Sequence, residues 1–291
     1  MPTTPPGFLA LDPADCDYEA SRFAVLPIPY DATASFLKGA ARGPEAILSA
    51  SRHLEDFDEE LGAEFHHEGI ATLEAMEPDV RGPQAMHEAI YKRARKIVGD
   101  GKFLFGLGGD HSVTSALVRA TMRRHKRLSV LQIDAHLDLR NSFEGSPFSH
   151  ACVMRRVLAL GVEAVVPVGI RSVAKEEHRF ARRNKMDWIS ARECHESGHW
   201  IDRALASLGE HVYVTVDIDG FDPSAAPGTG TPEPGGLDWV QVTRLLRRVA
   251  AEKSVVGADV VEVIPLPGQV VTEYLAARLA YKIMAYVSLR A

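Results

Sequence analysis

The chain has 291 residues, of which 46% are hydrophobic and 25% charged. This length allows one or two domains and a large hydrophobic core that needs no disulfide or metal to stabilise it. The 33 Lys and Arg residues against 39 Asp and Glu residues give a formal net charge of −6. That balance excludes a basic nucleic-acid-binding surface as the dominant feature, so we expect no nucleic-acid partner.

Cysteine usage and the N-terminal composition bear on the compartment. The three cysteines, Cys16, Cys152 and Cys194, are far apart and form no CxxC pair, which predicts a cytoplasmic protein. The N-terminus has no basic segment and no long apolar run, so we expect no signal peptide. Because no run of about 18 apolar residues is present, we also expect no membrane span and no membrane partner.

Short apolar runs alternate with helical patterns along the chain, after a Pro-rich segment that predicts an N-terminal arm over residues 1–21. Strands are predicted at residues 22–27, 102–107, 128–133, 164–170, 187–189, 212–216 and 254–261. Helices are predicted at residues 44–54, 84–98, 113–122, 151–160, 176–184, 200–208, 237–251 and 270–289. This alternation is typical of an α/β fold with a mainly parallel sheet. Since no linker interrupts it, we predict a single domain over residues 22–291.

Four of the predicted strands end in polar clusters. The clusters are GGDHS at 108–112, DAHLD at 134–138, DID at 217–219 and Glu262. Functional crevices in parallel α/β sheets lie beyond the carboxyl ends of the strands, so we expect the clusters to converge at one edge. A Pro- and Gly-rich segment at 223–236 follows one cluster and is typical of a functional loop.

The residue types in these clusters suggest a metal centre. Residues two apart project from the same face of an extended strand end. The residues at this spacing are Asp134, His136 and Asp138, and separately Asp217 and Asp219. With His111 the set has four carboxylates, two imidazoles and no thiolate, which suits a hard or borderline divalent ion such as Mn²⁺. Packed carboxylates need cations, and two divalent ions would balance four of them, so a binuclear site is predicted if the six residues converge.

Other kinds of site fit these residues less well. GLGGD at 106–110 looks like a phosphate loop, but His111 stands where G-x-G-x-x-G requires its third glycine. Ser112 lacks the G-x-S-x-G elbow of a serine hydrolase. Asp110 follows a strand and could equally be a structural helix cap.

Taken together, the motifs resemble the ureohydrolase family of arginases and agmatinases. The matching segments are GLGGDHS at 106–112, DAHLD at 134–138, SHA at 149–151, DIDGFDP with APGTGTPEPGG at 217–236, and VEV at 261–263. PYDATASFLKGAARGPEAI at 29–47 matches as well, so the resemblance runs from about residue 22 to the C-terminus. It implies a three-layer α/β/α fold with a central, mainly parallel sheet, and hydrolysis of a guanidino compound to urea and an amine by a hydroxide that bridges two ions. The family commonly forms trimers or hexamers, which implies a homo-oligomer.

The resemblance also implies roles for individual residues. Two Mn²⁺ ions are implied, although Ni²⁺ or Co²⁺ could occupy similar ligands. One ion would be bound by His111, Asp134, Asp138 and Asp217, and the other by Asp134, His136, Asp217 and Asp219. Asp134 and Asp217 would then bridge the ions. His150 matches the proton-shuttling histidine, with an ordinary loop histidine as the alternative, and Glu262 matches the glutamate that holds the guanidinium.

The substrate is predicted from the loops around the site. Arginases carry Asp at the places of Ser172 and Ala174, so the loss of those acids argues against arginine. FEGSPFSHAC at 143–152 resembles bacterial and archaeal agmatinases, which predicts hydrolysis of agmatine to putrescine and urea. Ile264 departs from the Asn that often stands there in agmatinases.

Several alternatives stay open. The substrate could be guanidinobutyrate, guanidinopropionate, guanidine or arginine. Arg140 or Arg171 could meet a distal carboxylate, and Glu144 could meet a distal ammonium. A non-catalytic metal-binding homologue would lack a ligand, His150 or Glu262, and a single-zinc deacylase would not need all four Asp residues.

Overall fold

The computed structural model describes residues 7–289, in which eight strands form one parallel sheet and two short strands form a separate antiparallel pair. In chain order the strands are β1 (Phe23–Ile28), β2 (Phe57–Asp58), β3 (Ala63–Glu64), β4 (Ile70–Thr72), β5 (Phe103–Gly108), β6 (Ser129–Ile133), β7 (Ala164–Ile170), β8 (Ile189–Ser190), β9 (His211–Asp217) and β10 (Ser254–Val261). The parallel sheet has the order β4-β1-β5-β10-β9-β6-β7-β8. Its four central strands, β5, β10, β9 and β6, are therefore direct neighbours.

Helices cover both faces of the sheet. They are α1 (Gly43–Ser51), α2 (Pro83–Gly99), α3 (Thr114–Thr121), α4 (Val153–Ala159), α5 (Lys175–Arg183), α6 (Ala191–Glu196), α7 (Trp200–Ser207), α8 (Trp239–Glu252) and α9 (Val271–Ser288). Helices α2 to α5 pack into one hydrophobic core, while α1 and α6 to α9 pack into a second core on the other face. This confirms the predicted three-layer α/β/α fold with a central, mainly parallel sheet.

The central strands are apolar because both of their faces are covered. Every residue of β5 and β6 is buried, as expected for parallel strands between two helical layers. Helix α8, which connects the central strands β9 and β10, begins at a capping residue, Asp238. Asp238 accepts a hydrogen bond from the Gln241 backbone N–H at 2.7 Å, and the Gln241 side chain accepts one from Asp238 N–H at 2.9 Å. This reciprocal pair satisfies two N–H groups at the start of α8.

All predicted helices and strands are present, and their ends differ from the prediction by no more than three residues. Strands β2, β3 and β4 and the short helix α6 were not predicted from the sequence. These elements have two, two, three and six residues, which is too short for a hydrophobic period to develop.

The described part of the predicted N-terminal arm, residues 7–21, lies against the sheet layers. Phe8 is 1% exposed, its backbone N–H donates to Thr72 Oγ1 at 2.8 Å, and Leu9 N–H donates to Ser51 Oγ at 2.9 Å. Residues 1–6 of the predicted arm and residues 290–291 lie outside the described residues. The division into an arm and one domain stays a prediction.

Among the described residues, no helix combines the length and apolar character that crossing a membrane requires.

Candidate metal centre

The polar clusters meet because the strands that carry them are neighbours. A turn with His111 follows β5, residues 134–138 follow β6, Asp217 ends β9 and Glu262 follows β10. The carboxyl ends of these four central strands lie side by side at one edge of the sheet. The structure thus brings together all six predicted ligands, with His150 and Glu262 beside them.

One set of side chains, called here the first ligand group, surrounds the His111 ring. His111 Nδ1 lies 3.2 Å from Asp134 Oδ2, 3.2 Å from Asp138 Oδ2 and 3.3 Å from Asp217 Oδ2. His111 itself is fully buried, and its Nδ1 makes no hydrogen bond although three carboxylate oxygens are this close. The ligand atoms of His111, Asp134 and Asp217 lie within 4.8 Å of one another, as those of one ion would, and Asp138 joins them through its contact with His111.

The second ligand group consists of His136, Asp134 and Asp219. His136 Nδ1 lies 3.1 Å from Asp219 Oδ2 and 3.5 Å from Asp134 Oδ1. Asp134 therefore contributes one carboxylate oxygen to each group, which is the geometry of a bridging ligand. Asp217, the other residue expected to bridge, contacts His111 with Oδ2 but uses Oδ1 to accept the Asp219 N–H at 2.9 Å.

Both ligand groups fit divalent metal ions. Atoms bound about 2.1 Å from an ion are separated by roughly 3.0–3.4 Å, close to the distances observed here. Burial, together with the nearby charges of Asp219 and Asp134, raises the pKa of Asp217 well above its usual range. A divalent cation at this point would relieve that repulsion. The donor set of imidazole nitrogens and carboxylate oxygens suits Mn²⁺ and related ions.

The backbone around the ligands differs from the extended strand end that the two-residue spacing predicted. Strand β6 ends at Ile133, before the candidate ligand Asp134, and Asp138 has a φ of 53°. Asp219 lies in a 3₁₀ turn, Ile218–Gly220, which Asp217 caps. Asp134 Oδ1 accepts the His136 N–H at 2.6 Å, so the polar side chains themselves bend the chain away from the sheet. The ligands converge through turns and not through one strand face.

Two non-glycine residues of the site, Asp138 and Glu262, occupy the left-handed region of the backbone map. Their φ angles are 53° and 63°. This conformation costs roughly 1–2 kcal/mol for a residue with a Cβ atom. Such strain persists only where surrounding contacts over-determine it, and it is common at functional sites.

Buried polar residues inside the strands fix the orientation of His111. His111 Nε2 lies 2.9 Å from Thr215 Oγ1, and Thr215 Oγ1 donates to Asp259 Oδ1 at 2.6 Å. Tyr213 donates from its hydroxyl to Asp259 Oδ2 at 2.8 Å. Because the hydroxyl hydrogen of Thr215 goes to Asp259, its oxygen accepts the Nε2–H of His111. The lone pair of Nδ1 is then left free for a metal ion.

Thr215, Asp259 and Tyr213 were not predicted from the sequence. Their signal was a polar residue at a position within an apolar strand, in VYVTV and SVVGADVV. A buried carboxylate such as Asp259 requires a partner, and the partners here lie on the neighbouring strand β9.

Thr215→Val is expected to weaken metal binding at the first ligand group by about 10–100-fold, because it removes the acceptor that fixes the His111 ring. The measurement is the metal content, by elemental analysis, after dialysis against a graded series of chelator concentrations. Thr243→Val on α8, where the hydroxyl only donates to its own helix, is the matched control. Equal metal retention in both variants and the parent protein would show that Thr215 does not support the ligand.

His150 and Glu262 lie together beside the ligand groups. His150 Nδ1 is 3.2 Å from Glu262 Oε1, His150 Nε2 is 3.1 Å from Ser35 Oγ, and Glu262 Oε1 accepts the His111 N–H at 2.8 Å. Burial acts to lower the pKa of His150, but the interaction with Glu262 outweighs it and raises that pKa to about 9. This shift favours the protonated imidazole, the form that can serve as an acid.

Asp110 has the structural role that the sequence analysis left open. Its Oδ1 accepts the Ser112 N–H at 3.1 Å, and its Oδ2 accepts the Thr33 N–H at 2.8 Å and the Thr33 hydroxyl at 2.7 Å. Thr33 Oγ1 in turn accepts the His150 N–H at 2.9 Å. Asp110 thus holds the loop after β1 against the segment that carries His150. Thr33 and Ser35 were not found from the sequence, because they lie more than a hundred residues from His150.

A cavity of about 220 Å³ opens above the ligand groups. Its lining beyond the ligands, His150 and Glu262 includes Ser35, Arg140, Phe143, Ala174, Glu177 and Thr231. Glu177 is 5% exposed, and its two oxygens accept the N–H groups of Leu139 and Ala174, both at 2.8 Å. This carboxylate joins the loops that follow β6 and β7 at the wall of the cavity.

The three residues considered for the far end of a substrate differ in their surroundings. Arg171 donates hydrogen bonds to backbone carbonyl oxygens, so it is not free to bind a substrate carboxylate. Arg140 lies 4.7 Å above the Phe143 ring and donates to Glu176 Oε1 at 2.8 Å. Glu144 is exposed on the loop after β6.

Known proteins resemble the chain in sequence and in structure. A model of the arginase family matches residues 21–286. An N(1)-aminopropylagmatine ureohydrolase of Thermus thermophilus is 45% identical over 278 residues, covering 95% of this chain and 94% of that protein. A protein of the same name from Synechocystis is 44% identical over 276 residues, covering 92% and 90%. The crystal structure of agmatine ureohydrolase of Thermoplasma volcanium superposes with a TM-score of 0.88 and 33% identity, covering 99% of this chain and 96% of that one.

These matches and the fold define the class of the protein, which is a ureohydrolase acting on a small guanidino compound. The chain belongs to the arginase family, and the resemblance drawn from its motifs is confirmed.

Proposed function

We propose that this ureohydrolase hydrolyses an agmatine-type guanidino amine, and that it prefers N(1)-aminopropylagmatine to agmatine itself. The cavity carries the proposal, because among the described residues the cationic side chains in or beside its lining, Arg140, Arg171 and His150, already have partners. Arg140 is paired with Glu176, and the hydrogen-bond donors of Arg171 are directed at backbone carbonyls. A guanidino acid would therefore leave its carboxylate without a free cationic partner.

The relatives support the proposed preference for N(1)-aminopropylagmatine over agmatine. The two reported relatives that are 44% and 45% identical are named N(1)-aminopropylagmatine ureohydrolases, whereas the agmatine ureohydrolase of Thermoplasma volcanium is 33% identical. Agmatine would yield putrescine and urea, and its aminopropyl derivative would yield spermidine and urea. The enzyme would act in polyamine biosynthesis in either case.

The residues of the cavity have different roles in the proposed reaction. Glu262 accepts N–H bonds from the guanidinium, and the His111 N–H holds its Oε1 in place, so the guanidinium carbon has a fixed position. Two Mn²⁺ ions held by His111, Asp134, His136, Asp138, Asp217 and Asp219 would supply the nucleophile by lowering the pKa of water to about 7. The water oxygen bonds to the guanidinium carbon, and the bond from that carbon to the alkylated nitrogen breaks. His150 gives the leaving nitrogen its proton.

The identity of the metal, the oligomeric state and the cellular location belong to the same proposal. Mn²⁺ is proposed because carboxylates outnumber imidazoles among the candidate ligands, and Ni²⁺ or Co²⁺ are the alternatives. A homo-oligomer, either a trimer or a hexamer, and a cytoplasmic location are also proposed. The three cysteines are free thiols, in agreement with a reducing compartment.

Urea release from Mn²⁺-reconstituted protein tests the substrate. We expect kcat/KM for N(1)-aminopropylagmatine to exceed that for agmatine by about tenfold, or about 1.4 kcal/mol of transition-state binding. Both amines should exceed arginine, guanidinobutyrate, guanidinopropionate and guanidine. If agmatine is the better amine, the aminopropyl preference is wrong. If a guanidino acid equals the amines, the substrate class is wrong, and if no compound releases urea the chain is a non-catalytic homologue.

A further inference from the structure

A second group of histidines and carboxylates lies near the amino end of strand β4, whereas the candidate metal centre lies at the carboxyl ends of the central strands. It consists of Asp15, Asp56, Glu64, His66 and His67, and is called here the His66 cluster. His66 and His67 lie in the 3₁₀ turn His66–Glu68, which precedes β4, whereas the residues of the candidate metal centre follow the carboxyl ends of their strands. The two groups are therefore separated by the length of the sheet.

We propose that the His66 cluster is a second metal-binding site, which takes a borderline divalent ion such as Zn²⁺ or Ni²⁺. The side chains come from separate segments: residues 7–21, the chain before β2, strand β3 and the turn before β4. The ligand atoms of Asp56, Glu64 and His66 lie within 4.8 Å of one another, and so do those of Asp15, His66 and His67. His66 belongs to both sets.

The individual distances are those of side chains that could share an ion. His66 Nδ1 lies 3.7 Å from Asp56 Oδ2, His67 Nε2 lies 3.4 Å from Glu64 Oε2, and His67 Nδ1 lies 3.9 Å from Asp15 Oδ1. Ligands of a tetrahedral zinc ion, bound at about 2.1 Å, are separated by about 3.4 Å. Small rotations of these carboxylates, of which Glu64 is exposed and Asp15 and Asp56 are partly exposed, would bring them to that spacing.

His66 provides the observation that points to a ligand. The residue is only 8% exposed, and its Nδ1 is buried without a hydrogen-bond partner. Buried polar atoms in native proteins nearly always have a partner, so an unpaired imidazole nitrogen aimed at a carboxylate requires an explanation. A metal ion bound to Nδ1 satisfies it without a large change of structure.

The charges around the cluster favour a cation. Among the described residues, the ion pairs of Asp15, Asp56 and Glu64 are with His66 and His67 and not with Lys or Arg. Neighbouring cations have other partners, and Arg278 donates to the Glu55 carbonyl at 2.7 Å. Lys282 Nζ lies 2.8 Å from both Asp58 Oδ1 and Glu60 Oε2, and Arg22 pairs with Glu68.

The ligand types indicate which ion would bind and what it would do. Two imidazoles and three carboxylates suit Zn²⁺ or Ni²⁺ better than the harder Mg²⁺ or Ca²⁺, which prefer oxygen ligands alone. An ion here would join four segments that are far apart in the chain. It would therefore stabilise the fold and leave the chemistry of the candidate metal centre unchanged.

Metal counting in the full-length, tag-free protein tests the proposal. Metal-free protein is titrated with Zn²⁺, freed of excess ion by gel filtration and analysed for zinc per chain. We expect the parent protein to retain one ion more per chain than either Glu64→Ala or His66→Ala. Glu64→Ala decides the outcome if the loss of buried His66 impairs folding, because Glu64 is an exposed residue of β3.

His199→Ala is the matched control, because His199 is an exposed imidazole beside an acid, Asp202, outside the cluster. It should retain the parental zinc count. Urea release by the Mn²⁺-loaded protein should be unchanged in Glu64→Ala, which separates this site from the candidate metal centre. An equal zinc count in the parent protein and Glu64→Ala would overturn the proposal.

Discussion

Asp134→Ala is expected to remove both ions from the candidate metal centre and to reduce urea release by more than about a thousandfold, or about 4 kcal/mol in activation free energy. Asp134 is fully buried, and it faces His111 with Oδ2 and His136 with Oδ1. Of the described residues, it alone belongs to both ligand groups. Its loss removes a ligand from each ion and leaves the neighbouring carboxylates with less counter-charge.

The measurement is metal per chain by elemental analysis, alongside urea release at saturating Mn²⁺. Asp217→Ala should also lose both ions if Asp217 bridges when they are bound, although here Oδ2 faces His111 and Oδ1 accepts the backbone N–H of Asp219. Asp187→Ala is the control, because Asp187 is a surface acid paired with Arg203 at 3.1 Å. Two fully occupied ions in Asp134→Ala would reject its bridging role, and the same result in Asp217→Ala would confine bridging to Asp134.

Glu262→Gln is expected to lower kcat/KM by about a hundredfold or more, or about 3 kcal/mol, while both ions stay bound. The amide keeps the size of the side chain and an oxygen that can accept the His111 N–H. It lacks the charge that pairs with a guanidinium. The loss should therefore appear in the kinetics and not in the metal content.

The pH profile gives this variant a second readout. Glu262 raises the pKa of His150 to about 9, against the effect of burial. Removing its charge should lower that pKa, so the activity that depends on protonated His150 should be lost at a lower pH than in the parent. Glu252→Gln, at a surface ion pair with Arg248, is the control. Loss of metal in Glu262→Gln would contradict the role of Glu262 as the residue that binds the guanidinium. So would loss of activity at the same alkaline pH as in the parent protein.

The residue types of the site were predictable, because polar residues directly after buried strands are conspicuous in the sequence. Their convergence rested on a general property of parallel sheets. The order of the strands was not predictable, because β10 pairs with β5 and β9 through contacts between residues about 150 and about 45 positions apart. The adjacency of β5, β10, β9 and β6 is a property of the tertiary structure alone.

Supporting residues were harder to predict than candidate ligands. Thr215 and Asp259 interrupt apolar strands by one residue each, and such a residue is read from sequence as a defect in the hydrophobic pattern. Only the pairing of β9 with β10 shows that the two residues satisfy each other. Arg171 illustrates the opposite case, because its charge left a substrate contact open as an alternative, whereas the structure directs its guanidinium at backbone carbonyls.

Arg171 has a further consequence for an enzyme that hydrolyses guanidino groups. The protein keeps a guanidinium of its own beside the turn that carries Asp219, where it donates to the carbonyls of Asp219, Phe221 and Glu233. Carbonyl oxygens accept its N–H groups, and within residues 7–289 no carboxylate forms with it the paired contact that Glu262 can form with a substrate. The Arg171 guanidinium is therefore a structural element of the enzyme. It does not compete with the guanidinium of a substrate for Glu262. The turn and its carboxylate are held in place before any substrate arrives, so binding energy is not spent on ordering them.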